Sequence, residues 1–257
     1  MDTIIWLVLL VVFLITEALT VTMVSLWFAG GCLAALLVAV TGGGWGFQVF
    51  TALAVSALLQ GENILLSGGK ATGKNILADN LAWLCGRPVY NVSFHVNTDS
   101  STLIGTDTFV GGEVRLRNGP VAETARHGGF CILDEINMAK NEAVAVMHSV
   151  LDYRRLIDVP GYECIPMHPA ARFIATMNYG YAGTRDLNEA LSSRFAIITM
   201  PQITEENMLR LLQRNFPDIS ERIAGQFVKL FGELARKAEK SEISDRAVDM
   251  RGMLDAL

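Results

Sequence analysis

Lysine and arginine are missing from the first 69 residues, and before Glu62 the only charged side chains are Asp2 and Glu17. A solvated helical hairpin needs charge on its outer face, so this absence argues against one there. A basic start is missing too. The chain opens Met-Asp and lacks the n-region that a cleaved secretory signal requires. The four cysteines, Cys32, Cys85, Cys131 and Cys164, have no C-x-x-C spacing. They are read as buried, reduced thiols, and no metal site or disulfide is assigned. Nor is there a basic surplus: a formal net charge of -5 gives no electrostatic basis for holding nucleic acid.

What the opening sixty residues do contain is apolar. Thr3 to Thr16 is almost wholly so, and Val21 to Val40 has about the length a helix needs to cross a hydrocarbon core. Thr41-Gly42-Gly43-Gly44 is a turn signal, and Trp45 to Leu59 is a shorter apolar stretch. The pattern predicts a transmembrane hairpin or a three-helix segment over residues 1–60, with Trp6, Trp27 and Trp45 as interface residues. Glu17 lies near a span end, where it can reach water. Because lysine and arginine begin only after the last span, the C-terminal part is expected in the cytoplasm.

At 257 residues the chain has room for one large α/β core and a smaller unit. The core is expected over 61–200 and a helical unit over 201–257. It is organised around Asn63-Ile-Leu-Leu-Ser-Gly68-Gly69-Lys70-Ala71-Thr72-Gly73-Lys74-Asn75. A buried strand, a glycine-rich turn and then apolar residues at helical spacing form a phosphate-binding loop. Gly68 and Gly73 let successive amides turn inward around a phosphate, and the helix start adds its positive dipole end. Lys74 would set a point charge on the β and γ oxygens. The next position normally carries a hydroxyl for Mg2+. Here it is Asn75, whose amide oxygen can also reach a hard cation, so metal binding is expected to be altered rather than lost.

After the loop, strand and helix patterns alternate, as in a parallel sheet with helices on its faces. Phe130-Cys-Ile-Leu-Asp134-Glu135 is an apolar strand with two carboxylates emerging at its end, where open parallel sheets place their ligands. Asp134 would hold the Mg2+ shell, and Glu135 would orient and deprotonate an attacking water. Ala171 to Asn178 repeats the arrangement, and Asn178 is suited to hold that water. Gly111-Gly112 and Pro160-Gly161 each mark a hairpin. Arg194, at the end of a short helix before the strand Ala196 to Met200, can be read as a finger for the next subunit's γ-phosphate or as an ordinary surface arginine. From Thr204, a capping signal opens a helical C-terminal piece.

These motifs in this order, together with Gly119-Pro-Val-Ala-Glu-Thr-Ala-Arg-His-Gly-Gly-Phe-Cys-Ile-Leu-Asp-Glu-Ile-Asn-Met-Ala139, resemble a MoxR-type AAA+ ATPase of the dynein-related group over residues 61–257. The resemblance implies a sheet of order 5-1-4-3-2, a small α-helical lid, ring assembly with shared sites, and ATP with Mg2+ as cofactors. It places Gly68, Gly73, Lys74 and Asn75 in Walker A, Asp134 and Glu135 in Walker B, Asn178 at sensor 1, Arg194 as arginine finger and Arg246 at sensor 2. It also implies partners with a von Willebrand A domain, and two hairpins that face a ring pore and work on substrates. Residues 26–37, preceded by Glu17-Ala-Leu-Thr, resemble the membrane region of NfeD-like proteins.

Two departures stand out. Asn75 replaces Ser or Thr, and only Gln60-Gly61-Glu62 separate the apolar run from the first strand, where relatives carry a helix that helps hold adenine. The core would then be pressed against a bilayer, its adenine pocket and ring contacts altered, as in a truncated or fused gene. With the pattern ending at Leu257, a shortened lid is also expected. The reading is a membrane-anchored ATPase that remodels or activates a protein partner. Two rivals are a nucleotide-binding regulatory module with little hydrolysis and an NfeD-like scaffold with an inert ATPase part.

Overall fold

The computed structural model describes residues 2–20, 24–70, 72–159, 161–178, 187–239, 243 and 254. Ala71 of the phosphate loop, Pro160 of the second hairpin and Arg246 with the expected last helix lie outside the described residues. The chain divides into two compact units: Met1–Ser67 with Lys74–Thr199, and Gly68–Gly73 with Met200–Leu257.

The first unit opens with three apolar helices, α1 (Asp2–Thr20), α2 (Val24–Val40) and α3 (Trp45–Gln60). Among the described residues, only α1 is both long and apolar enough to cross a membrane; α2 and α3 are shorter apolar helices. Small side chains let α2 and α3 approach closely. A Cβ at Gly31 would lie 2.5 Å from the Ala52 carbonyl oxygen, and one at Gly30 would lie 2.5 Å from a Leu59 methyl. One sequence expectation fails here. Trp6 is not an interface anchor but lies inside the bundle, 6% exposed, with its indole Nε1 donating to Gln48 Oε1 at 2.7 Å. Gln48 Nε2 in turn donates to the Gly43 carbonyl at 2.6 Å. An indole N–H in an apolar bundle needs an acceptor, and Gln48 is a polar side chain within reach.

Helix α3 ends at Gly61, whose left-handed conformation (φ 94°) returns its N–H and that of Glu62 to the last turn. Strand β1 (Ile64–Gly68) follows at once, fully buried. Thereafter come α4 (Lys74–Leu84), β2 (Val89–Ser93), α5 (Ser100–Ile104), β3 (Gly105–Val110), β4 (Glu113–Asn118), α6 (Pro120–His127), β5 (Gly129–Asp134), a 3-10 turn (Ile136–Met138), α7 (Asn141–Val150), β6 (Leu156–Ile157), β7 (Ile165–Pro166), β8 (Ala171–Asn178), α8 (Glu189–Ser192) and β9 (Ala196–Met200). The five core strands lie in the order β2-β5-β8-β1-β9, which is the expected 5-1-4-3-2 counted along the core. β2 with β5 and β5 with β8 are parallel pairs. Leu65, Cys131, Leu133, Phe173 and Ala175 face the helices α5 to α8 in one core. That burial on both faces is why these strands are continuous apolar runs.

Both hairpins form. Gly111 (φ 65°) and Gly112 (φ 92°) make the two-residue turn between β3 and β4, a geometry that needs positive φ at both positions. The second hairpin, β6–β7, is shorter than the sequence suggests, with only two residues per strand. Cys32 and Cys131 are buried as expected, whereas Cys85 and Cys164 are exposed. Cys85 falls in a turn, and Cys164 lies on the hairpin beside Ile165, whose side chain takes the buried position.

The second unit holds α9 (Glu205–Asn215) and α10 (Glu221–Glu239). Thr204 caps α9, accepting from the Asn207 amide at 3.3 Å. Met208, Leu212, Ala224 and Val228 form the centre of the helix pair.

Candidate active site

Parallel strands turn their carboxyl ends the same way, so Asp134 at the end of β5 and Asn178 at the end of β8 lie on one edge of the sheet. A linked hydrogen-bond network joins them. Thr176 Oγ1 donates to Asp134 Oδ1 at 2.6 Å and accepts the Glu135 backbone N–H at 3.1 Å. Asn178 Nδ2 donates to Glu135 Oε1 at 2.9 Å, and Asn137 Nδ2 donates to the Asn178 carbonyl at 2.7 Å. Asp134, Glu135 and Asn178, three residues chosen from the sequence, are thus brought together.

Glu135 reaches this position through an unusual backbone. Its φ of 54° and ψ of 46° are left-handed, which a non-glycine residue adopts at a cost of about 1–2 kcal/mol. The turn swings its carboxylate out of the strand direction toward Asn178, while its N–H finds Thr176.

Lys74 opens α4 and is only 6% exposed. Burial pushes its ammonium down to about 8 from the usual lysine range, and the charges of Asp134 and Glu135 act in the opposite direction. Lys74 thus lies in the same electrostatic neighbourhood as the Asp134 and Glu135 carboxylates. Asn75 follows on the helix, half-buried.

The loop before Lys74 belongs to the second unit. Gly73 has φ 84°, a value that favours glycine. A Cβ at Gly68 would stand 2.8 Å from the Met200 carbonyl oxygen, so a side chain there would displace the backbone. Thr72 Oγ1 donates to the Gly69 carbonyl at 3.1 Å, closing the turn that holds Gly69 and Lys70.

Arg194 is not joined to this network. Its guanidinium donates to the Ala190 carbonyl of its own short helix. Thr176 and Asn137 were missed in the sequence reading. Thr176 could have been found, because it lies two residues before Asn178 on one strand and so shares its face. Asn137 offered no such signal, since it sits in a 3-10 turn whose direction is set by the left-handed Glu135.

Away from the strand ends, the β3–β4 hairpin exposes Phe109, Val110 and Val114 near its turn. The two hairpins are joined by Tyr162, whose hydroxyl donates to Asp107 Oδ1 at 2.7 Å.

Comparison with known proteins gives one family and several relatives. Residues 63–195 match the AAA domain (dynein-related subfamily). The chain is 34% identical over 207 residues to "Uncharacterized protein YojN" of Bacillus subtilis, covering 79% of this chain and 68% of that one. It is 32% identical over 200 residues to "Uncharacterized protein SH1500" of Staphylococcus haemolyticus, covering 76% of each. Among solved structures, a "putative ATPase" from Cytophaga hutchinsonii superposes with a TM-score of 0.51 at 20% identity, over 68% of this chain and 55% of the other. That likeness is one of fold, and this chain spans little more than half the length of that structure. The family match and the strand order agree with the carboxylate pair and the phosphate loop, and the chain belongs to the dynein-related AAA domain family.

Proposed function

We propose that this chain is a membrane-anchored MoxR-type AAA+ ATPase that binds and hydrolyses Mg-ATP to remodel or activate a protein partner. The observation that carries the catalytic reading is the Asp134–Thr176–Glu135–Asn178 network beside the buried Lys74. Gly68, Gly69, Lys70, Ala71, Thr72 and Gly73 would wrap the phosphates with main-chain amides, and the Lys74 ammonium would neutralise their oxygens. Asp134 and Asn75 would hold Mg2+, whose charge would offset that on the β and γ oxygens.

Hydrolysis is in-line. The water oxygen forms a bond to the γ-phosphorus, the bond to the β–γ bridging oxygen breaks, and ADP leaves. Asn178 holds Glu135 Oε1, which leaves Oε2 to take the water's proton. The developing charge would fall on phosphate oxygens that the Lys74 ammonium would neutralise. Arg194 and Arg246 would serve as finger and sensor in a homo-oligomeric ring. The exposed Phe109, Val110 and Val114 would engage the partner, a von Willebrand A domain protein by the family resemblance.

Anchoring is supported by where the apolar residues point. Ile4, Leu7, Val8, Val11, Val12 and Ile15 of α1, together with Leu33 and Leu37 of α2, are exposed large apolar side chains, and the polar Gln48 and Ser56 are buried inside the bundle. Such an inside-out distribution suits lipid rather than water. The helices would then be NfeD-like membrane elements, with the ATPase part in the cytoplasm.

The test is phosphate release from the full chain beside Glu135→Gln. A fall of about 100-fold or more with retained ATP binding is expected, the size of a lost general base. Equal background rates in both would sink the hydrolysis reading. Asn75 favours a second reading, a nucleotide-binding regulatory module with little hydrolysis, and equal rates together with tight ATP binding would establish it.

A further inference from the structure

The opposite edge of the sheet has a composition of its own. The five strand starts are held level there. The Phe130 amide donates to the Pro88 carbonyl at 2.8 Å, and the Gly129 amide donates to the Ala170 carbonyl at 3.3 Å. Asn63 joins the other side, its Oδ1 accepting from the Phe173 amide at 3.0 Å and its carbonyl from the Ala196 amide at 2.7 Å. Just before these starts come Arg87, Arg126, His127 and His168, all exposed, and Arg172 lies one residue inside β8. Glu62 and Glu123 are carboxylates of this edge, and Glu123 is paired with His127 at 3.0 Å.

Helix α3 enters at the same edge. Arg172 Nε donates to the Leu58 carbonyl in its last turn at 3.3 Å, and a Cβ at Gly61 would lie 3.5 Å from the same guanidinium. Three residues, Gly61-Glu62-Asn63, separate α3 from β1, a reach of about 10 Å when extended. That is about one Debye length at physiological salt. Beside this junction, α4 ends with Trp83, 80% exposed, and Leu84, followed by Cys85-Gly86-Arg87. An indole projecting from a helix end beside arginine has the composition of a membrane-interface anchor.

We propose that this amino-terminal edge, formed by Trp83, Leu84 and Arg87 with Arg126, His127 and Arg172, seats on the headgroup layer of an anionic phospholipid bilayer. The inference rests on the membrane-anchored reading above and deepens it. Three features select a lipid surface as occupant: continuity with the exposed apolar belt of α1 and α2 through α3, the short junction, and the excess of cations over carboxylates. Seated this way, the edge bearing Asp134, Glu135 and Asn178 faces away from the bilayer, toward soluble ATP and partner.

The test uses the full chain in vesicles of phosphatidylcholine alone or mixed equally with phosphatidylglycerol. Cys85 already lies between Trp83 and Arg87 and is exposed, so it takes a fluorescent label once Cys164→Ser removes the other exposed thiol. Headgroup-nitroxide lipids should quench this label at least about threefold more than a label on Asn97→Cys, beyond the carboxyl end of β2, in a Cys85→Ser, Cys164→Ser chain. Quenching should be stronger with phosphatidylglycerol and should fall in Arg87→Glu, Arg126→Glu. If the chain resists carbonate extraction but the two labels quench alike, or the double charge reversal changes nothing, the docking surface is overturned and anchoring stands. If carbonate releases the chain, anchoring and docking fall together.

Discussion

The buried ammonium of Lys74 should make the site unstable for its own fold. At pH 7 it stays charged, although burial has pushed it from 10.5 to about 8. A difference of 2.5 between those values corresponds to about 3 kcal/mol spent on keeping the charge in the folded chain. This net figure already contains the attraction of Asp134 and Glu135. Lys74→Met keeps the length of the side chain and removes the charge, so without nucleotide the variant should be more stable by about 3 kcal/mol, or about 6–12 °C in melting temperature for a unit of this size. The sign follows from proton binding. Between about pH 8 and 10.5 the unfolded lysine binds its proton and the folded one does not, so wild-type stability rises with pH relative to the variant. The gap should therefore be full below about pH 8 and vanish above 10.5. Intrinsic-fluorescence melting of the detergent-solubilised chain at pH 7, 9 and 10.5 reads both. Saturating ATP should reverse the order, because only the wild type gains binding energy. A variant that melts at or below the wild type at pH 7 without nucleotide, or a gap indifferent to pH, would refute the reasoning.

Three further outcomes follow from particular contacts. Thr176→Val strands both Asp134 Oδ1 and the Glu135 amide; it should cost about 2 kcal/mol in urea unfolding and lower phosphate release, with Thr176→Ser restoring both. Gln48→Leu removes the acceptor of the buried Trp6 indole at a cost of about 1–2 kcal/mol, so maleimide should reach the buried Cys32 about tenfold faster. Gly112→Val forces a β-branched residue to φ 92°, costing about 1–2 kcal/mol locally, and hydrogen exchange along β3 and β4 should rise while ATP binding is unchanged.

Much of the fold was legible because β1, β5 and β8 are buried on both faces and read as unbroken apolar runs ending in chemistry: Ser67-Gly68 closing β1, Asp134-Glu135 at the end of β5, Asn178 at the end of β8. Composition also announced the apolar helices. It could not say which way Trp6 faces, since an indole suits a membrane interface and a bundle interior equally. What decides is Gln48, forty-two residues away, whose role as acceptor exists only once α1 and α3 are packed.

The same distinction runs through the site. Asp134, Glu135 and Asn178 were visible because each marks the end of a strand, a position that one-dimensional pattern reveals. Their geometry was not visible, because it depends on a left-handed turn at Glu135 that no residue type there advertises; glutamate is a poor candidate for φ 54°. The strain is held by bonds from two directions, Thr176 on the Glu135 amide and Asn178 on its carboxylate, both from the neighbouring strand β8. A carboxylate so fixed would, in the proposed role of general base, have little freedom to lose when a substrate binds. Local propensity therefore fails at Glu135 where tertiary hydrogen bonds override it. A residue with the preferred backbone would carry its carboxylate along the direction of β5, away from Asn178, and the network that joins Asp134, Thr176, Glu135 and Asn178 would not close.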